Sequence, residues 1–257
     1  MHPILFELGG VTIHTYGALG AAAFLLGAFI ALKRGEGLGV NPEATADLIF
    51  WTALVGLVGS RLLFVYQNPQ GMDTLWDVMN FRKGGMVFYG SLLVAVPFGT
   101  LWMRAKGMPV LAMWDVMATV MPLAHAISRV GCYAAGCCYG TETNAAWAVV
   151  FTEDLAVAPH DVALHPVQLY EAAMLLVVAA IVNLAWVRRH QDGLVIGLYL
   201  GLYAIGRSVM ELYRGDVSRG FFMPDQLGEW MTYSQGISLL GLVVGGLLIW
   251  VGRRSAA

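Results

Sequence analysis

Seven apolar runs account for most of the chain: 16–32, 44–66, 86–103, 110–127, 167–187, 193–212 and 232–251. A helix needs about 20 apolar residues to cross the hydrocarbon core of a bilayer. Only helices and closed barrels satisfy their backbone there, so runs of this length and number dictate a bundle of membrane helices. Charge agrees: 12% of residues are Asp, Glu, Lys or Arg and 58% are hydrophobic, where a soluble domain carries roughly twice the charge. A net charge of −2 gives no reason to expect a nucleic-acid partner. The expected fold is all-α and polytopic, with about seven transmembrane helices in a single domain over 1–257. The segment 129–165 is the one connection long enough for a small folded cap. Residues 1–13 contain Glu7 and no Lys or Arg, so a cleaved signal peptide is not expected and the first helix stays.

Basic residues set the orientation. With an odd number of spans, Lys33 and Arg34, Arg104 and Lys106, Arg188 and Arg189, and Arg253 and Arg254 all fall on one side. That side is cytoplasmic by this rule, so the N-terminus is periplasmic and the C-terminus cytoplasmic. Glu142, Glu153, Asp154 and Asp161 fall opposite, and Arg82 and Lys83 are the main exceptions. Glycines inside spans, such as Gly56, Gly59, Gly241, Gly245 and Gly246, suit close helix packing.

Arg61, Glu171, Arg207 and Glu211 interrupt otherwise apolar spans. An ionised group at bilayer centre costs about 2.5–3.5 kcal/mol on insertion scales and needs a partner or a cavity. The topology puts Arg61, Arg129 and Arg207 on the outer side, with Tyr16, Tyr89, His165, Gln168, Tyr170 and Glu171. Tyr199, Tyr203, Arg207, Glu211 and Arg214 share one helix face by their spacing, and Arg207 and Glu211 at i and i+4 can pair. An ion pair that only joins helices is one reading. The other rests on number: one such pair cannot neutralise three arginines, and surplus positive charge calls for an anionic ligand, with a lipid phosphate nearest at hand.

Cys132, Cys137 and Cys138 leave three readings open: small-residue packing in a turn, a disulfide with Cys132 at one end, or metal binding or thiol exchange. A structural zinc usually takes four ligands, and no nearby His supplies the fourth.

Across these residues the chain resembles the bacterial prolipoprotein diacylglyceryl transferase family. The resemblance rests on Ile13-His14-Thr15-Tyr16-Gly17, Gly59-Ser60-Arg61-Leu62, Gly84-Gly85-Met86-Val87-Phe88-Tyr89-Gly90 and Ser128-Arg129-Val130-Gly131. It continues through His165-Pro166-Val167-Gln168-Leu169-Tyr170-Glu171, Gly206-Arg207 followed by Glu211 and Arg214, and Tyr233-Ser234-Gln235-Gly236-Ile237-Ser238. It implies a multi-pass enzyme of the bacterial inner membrane with its site toward the periplasm. The implied reaction moves the diacylglyceryl group of phosphatidylglycerol to the lipobox cysteine thiol of a preprolipoprotein. The implied partners are phosphatidylglycerol, preprolipoprotein signal peptides and membrane lipids.

The departures from the family pattern are specific. The family's Gly-Asn and Asn-Gly-Glu after the arginine are Gly131-Cys132 and Ala135-Gly136-Cys137, and its His-Gly-Gly is Tyr89-Gly90-Ser91. Arg129 and Arg207 fit stabilisation of the leaving phosphate. Tyr16 and Tyr89 are the positional candidates for deprotonating the thiol, and they complete the expected catalytic set. Arg129, Arg61, Gly90, Glu211 and His165 form the expected substrate-binding set. His125, inside a span, reads as a core histidine. No metal or organic cofactor is expected, because both substrates bring their own reactive groups. A non-catalytic phospholipid-binding paralogue and a thiol-redox membrane protein are the alternatives.

Overall fold

The computed structural model describes residues 2–70, 72, 74–80, 85–153, 155–216 and 232–256. Arg82, Lys83, Gly84 and Asp154 lie outside the described residues. The described chain runs β1 (Ile4–Leu8), β2 (Val11–His14), α1 (Thr15–Glu36), α2 (Pro42–Gln67), α3 (Leu75–Met79), α4 (Phe88–Ala105) and α5 (Val110–Ala134). It continues through β3 (Val149–Val150), β4 (Ala163–Leu164), α6 (Val167–Arg188), α7 (Leu194–Glu211) and α8 (Tyr233–Ala256). Six of these helices, α1, α2, α5, α6, α7 and α8, are long and apolar enough to cross a membrane. The protein is therefore a polytopic membrane protein. The expected span at 86–103 is α4, which stands outside those six: its 18 residues include Ser91, Pro97, Thr100 and Arg104. Large apolar side chains such as Leu25, Phe29, Leu93, Val187 and Leu240 face outward, as side chains solvated by lipid do.

The all-α bundle is as expected, and two short strand pairs accompany it. β1 and β2 form an antiparallel hairpin whose turn, Gly9-Gly10, has φ of 55° and 82°. Two consecutive positive φ values are what a tight two-residue hairpin turn requires, and glycine supplies them without strain. β3 and β4 pair between α5 and α6, over an apolar cluster of Phe151, Ala158 and Leu164 flanked by Tyr139 and Val149.

The chain divides into two compact units, 1–30 with 114–257, and 31–113. In the smaller unit α2 and α4 cross backbone to backbone at Gly59 and Gly90. A Cβ on Gly59 would lie 2.6 Å from the Gly90 carbonyl oxygen, and one on Gly90 would lie 2.7 Å from Leu63 Cβ, so neither position has room for a side chain. One turn away, Ser91 Oγ donates to the Gly56 carbonyl (2.8 Å). Small residues serve here as they do in membrane helix pairs generally.

The larger unit has a core of Ala118, Val178, Val182, Val195, Ile196 and Tyr199 from α5, α6 and α7. Asp115, fully buried on α5, receives the backbone N–H groups of Gly193 and Ile196 at 2.8 Å each. A carboxylate thus caps the positive end of α7, satisfying orphan donors and matching the helix dipole. That fixes where α7 starts, and hence the height of Arg207.

Candidate active site

In the larger unit two arginines and two glutamates interleave. Glu171, one turn into α6 and 1% exposed, lies between Arg129 of α5 (Nε–Oε2, 3.0 Å) and Arg207 of α7 (Nε–Oε1, 3.9 Å). Arg207 Nη1 also pairs with Glu211 one turn on, at 2.5 Å, as the i, i+4 spacing predicts. Arg207 Nη2 donates to Ser234 Oγ of α8 at 3.0 Å, and Arg129 Nε donates to His125 Nε2 at 3.2 Å. Four helices therefore hold one polar cluster.

The charge count differs from the expected surplus. Arg129 and Arg207 meet Glu171 and Glu211, two for two. Arg214, which shares a face with Arg207 in the sequence pattern, lies beyond the end of α7 and forms a fork with Asp216, Nε to Oδ1 at 2.8 Å and Nη2 to Oδ2. Burial works against its charge and the Asp216 carboxylate outweighs that, so the guanidinium is held above its ordinary value. The cluster is a balanced network, yet it is not saturated. Both Glu171 oxygens and Arg207 Nη1 are buried in charge contacts without an aligned hydrogen bond. A guanidinium held by charge can exchange its carboxylate for a phosphate of the same charge.

Other expected site residues lie around this cluster. Tyr16, at the start of α1, packs against Gly131 of α5; a Cβ there would be 3.2 Å from Tyr16 Cδ2. His165 pairs through Nδ1 with the Tyr170 hydroxyl at 3.2 Å, and both rings stack edgewise on Tyr213. Its backbone N–H donates to the Thr141 carbonyl, while Thr141 donates to Tyr213. This fastens the 139–165 segment to the end of α7. The three cysteine thiols are free, and their sulfurs lie within 4.8 Å of one another. Cys137 has its thiol pushed up, largely by the hydrogen bond it shares with Cys132. Cys138 has its thiol pulled down by hydrogen bonds from Cys132 and Cys137 and by Arg129 and Arg214.

Arg61, Tyr89 and Gly90 belong to the smaller unit. Arg61, 2% exposed, donates to the Val78 carbonyl through Nε (2.8 Å), to Gly85 through Nη1 (3.0 Å), and to Asp77 and Asn80 through Nη2 (2.7 and 3.2 Å). Its guanidinium thus holds the α3 segment and the approach to α4. Gly90 is the helix crossing point described above, and the half-buried Tyr89 ring lies against Phe88.

The family model described as prolipoprotein diacylglyceryl transferase matches residues 3–251. The chain belongs to the prolipoprotein diacylglyceryl transferase family. A phosphatidylglycerol–prolipoprotein diacylglyceryl transferase of Clostridium tetani is 30% identical over 255 residues, covering 98% of each chain. One of Legionella pneumophila is 32% identical over 269 residues, again 98% of each chain. One of Thermotoga petrophila is 33% identical over 217 residues, 82% of this chain and 74% of its own.

Three members of the cluster fell outside the expected transferase site: Glu171, His125 and Ser234. Glu171 carried a signal, an acidic residue one turn into an apolar span, but its role as the bridge between two arginines is tertiary. Ser234 and His125 carried none beyond polarity in apolar surroundings.

Proposed function

We propose that the chain transfers the diacylglyceryl group of phosphatidylglycerol to the lipobox cysteine thiol of a preprolipoprotein. The observation that carries this reading is the Arg129–Glu171–Arg207–Glu211 cluster, in a chain that matches the family over nearly its whole length. The thiolate attacks the glyceryl carbon, the C–S bond forms as the C–O bond breaks, and glycerol phosphate leaves with the electron pair. Charge grows on a phosphate oxygen during that step, and preorganised cations in a water-poor site stabilise it strongly. Arg129 and Arg207 supply the cations; Arg207 Nη1, held by Glu211 at 2.5 Å, is a donor that can trade that carboxylate for the phosphate. Glu171 and Glu211 fix both guanidinium groups and offset their charge before lipid binds. Tyr16 is the expected base that lies in the same unit as the cluster, where it packs beside Gly131. His165, at the end of the 139–165 segment, and Glu211, at the end of α7, shape the lipid site.

In the same reading α4 is a seventh span. The N-terminus and the 129–165 segment face the periplasm, the C-terminus faces the cytoplasm, and the protein sits in the bacterial inner membrane. The basic ends of α1, α4, α6 and α8 support this orientation.

Complementation tests the function. The gene is expressed in a bacterium depleted of its own transferase, with Arg129→Ala alongside. Growth and lipidated product are expected with the parent gene and lost with the variant. A stably expressed parent that restores neither would overturn the proposal.

A further inference from the structure

Tyr16 apart, the groups of the proposed site that could take the incoming thiol's proton are already engaged. Glu171 and Glu211 are engaged by arginines, and His125 Nε2 accepts from Arg129. Beside Arg129, three positions along the same helix, stands Cys132, and Cys137 and Cys138 follow in the turn that ends α5. The turn is built: Cys137 N–H donates to the Cys132 carbonyl, and Gln168, fully buried on α6, donates Nε2 to the Cys137 carbonyl at 2.8 Å. Cys138 takes a left-handed conformation, φ 57°, which costs a residue with a Cβ roughly 1–2 kcal/mol. With the turn so held, three sulfurs lie within 4.8 Å of one another. Three thiolates around zinc, each about 2.3 Å from the metal, stand a little under about 4 Å apart, so the sulfurs need draw together by no more than about 1 Å. A disulfide would use two of the three sulfurs and leave the third unexplained.

We propose that Cys132, Cys137 and Cys138 bind one zinc ion as three thiolates, and that its fourth position takes the thiol of the incoming substrate. This rests on the transferase reading above. Three ligands with one open position is the pattern of a zinc site that does chemistry rather than one that only folds a loop. Three thiolates and Zn2+ sum to −1, and a fourth thiolate makes −2, beside the cations Arg129 and Arg214. The steps balance. The substrate thiol binds zinc and releases its proton to solvent, since a coordinating thiol is deprotonated. Its sulfur then forms the bond to the glyceryl carbon as the C–O bond breaks onto phosphate, and the thioether leaves the metal. No electron is gained or lost by the protein.

The test uses the full chain, purified in detergent, reduced with a phosphine, stripped of metal and titrated with Co2+. One equivalent should bind, with sulfur-to-cobalt charge-transfer absorption and tetrahedral ligand-field bands. Cys132→Ser, Cys137→Ser and Cys138→Ser should each weaken binding by at least about 100-fold, the upper end of what loss of an outer-shell partner costs. A peptide carrying a lipobox cysteine should shift the tetrahedral bands, and its serine analogue should not. Absence of stoichiometric binding, an isolated protein with one disulfide and one free thiol that refuses metal after reduction, or bands unmoved by the cysteine peptide would each overturn the proposal. In phosphatidylglycerol vesicles, stripping zinc should lower transfer by about 100-fold, and re-addition should restore it. Full transfer by the stripped protein sinks the zinc site and leaves the transferase reading intact. No transfer in either state sinks the transferase reading, and with it the fourth-position role.

Discussion

Arg61 and Arg129 both lie in the last two turns of apolar helices, and their acceptors separate them. Among the described residues, Arg61 donates to the backbone carbonyls of Asp77, Val78, Asn80 and Gly85. Those acceptors are part of the chain, so the cation is a clamp on local structure. Arg129 and Arg207 meet carboxylates, with Glu171 between them, and a carboxylate contact can be traded for a phosphate contact of the same charge. Position in an apolar helix alone does not distinguish the two cases. The chemistry of the acceptor does.

Substitutions can break this contrast. The largest effect is expected from Arg129→Ala or Arg207→Ala, which should lower transfer by about 10²–10³-fold per folded molecule, the scale of losing one preorganised donor to a developing oxyanion. A vesicle assay read by peptide mass, normalised to folded protein, measures it; Arg129→Lys should recover only part, since the fork is lost. Arg61→Met should act oppositely. Its carbonyls lose their donors, so stability should fall by on the order of 3 kcal/mol, read by thermal unfolding in detergent, while transfer per folded molecule holds.

Smaller effects sharpen the contrast. Glu171→Gln leaves two arginines facing one carboxylate, so retention of phosphatidylglycerol should rise about tenfold, equivalent to about 1.4 kcal/mol, as measured by lipid co-purification. Asp115→Asn weakens the cap of α7 and should cost about 1 kcal/mol without changing lipid retention. If it changed transfer as strongly as Arg207→Ala, the height of α7 would matter more than the charge on it.

Much of the scaffold is legible in the chain because span length and charge act locally. The ends of α1, α6 and α8 fall where Lys33 and Arg34, Arg188, and Arg253 and Arg254 stand, and the Arg207–Glu211 pair follows from helical spacing. The hairpin is also written locally, in Gly9-Gly10 between two short strand-forming runs. Tertiary partners were not legible. Arg61 finds its carbonyls 16 to 24 positions downstream, and Asp115 finds backbone N–H groups 78 and 81 positions away. Neither separation has a period to read. The surplus of positive charge expected from three arginines was a count made without Glu171 as a bridge or Asp216 as a partner.

The central claim is that Arg129 and Arg207 hold one lipid phosphate while Arg61 does not. Native mass spectrometry of the full chain released from phosphatidylglycerol-containing detergent micelles tests it most directly. One retained phosphatidylglycerol is predicted for the parent and for Arg61→Met, and its loss is predicted for Arg129→Gln and for Arg207→Gln. Retention by both glutamine variants, with loss in Arg61→Met, would contradict the account.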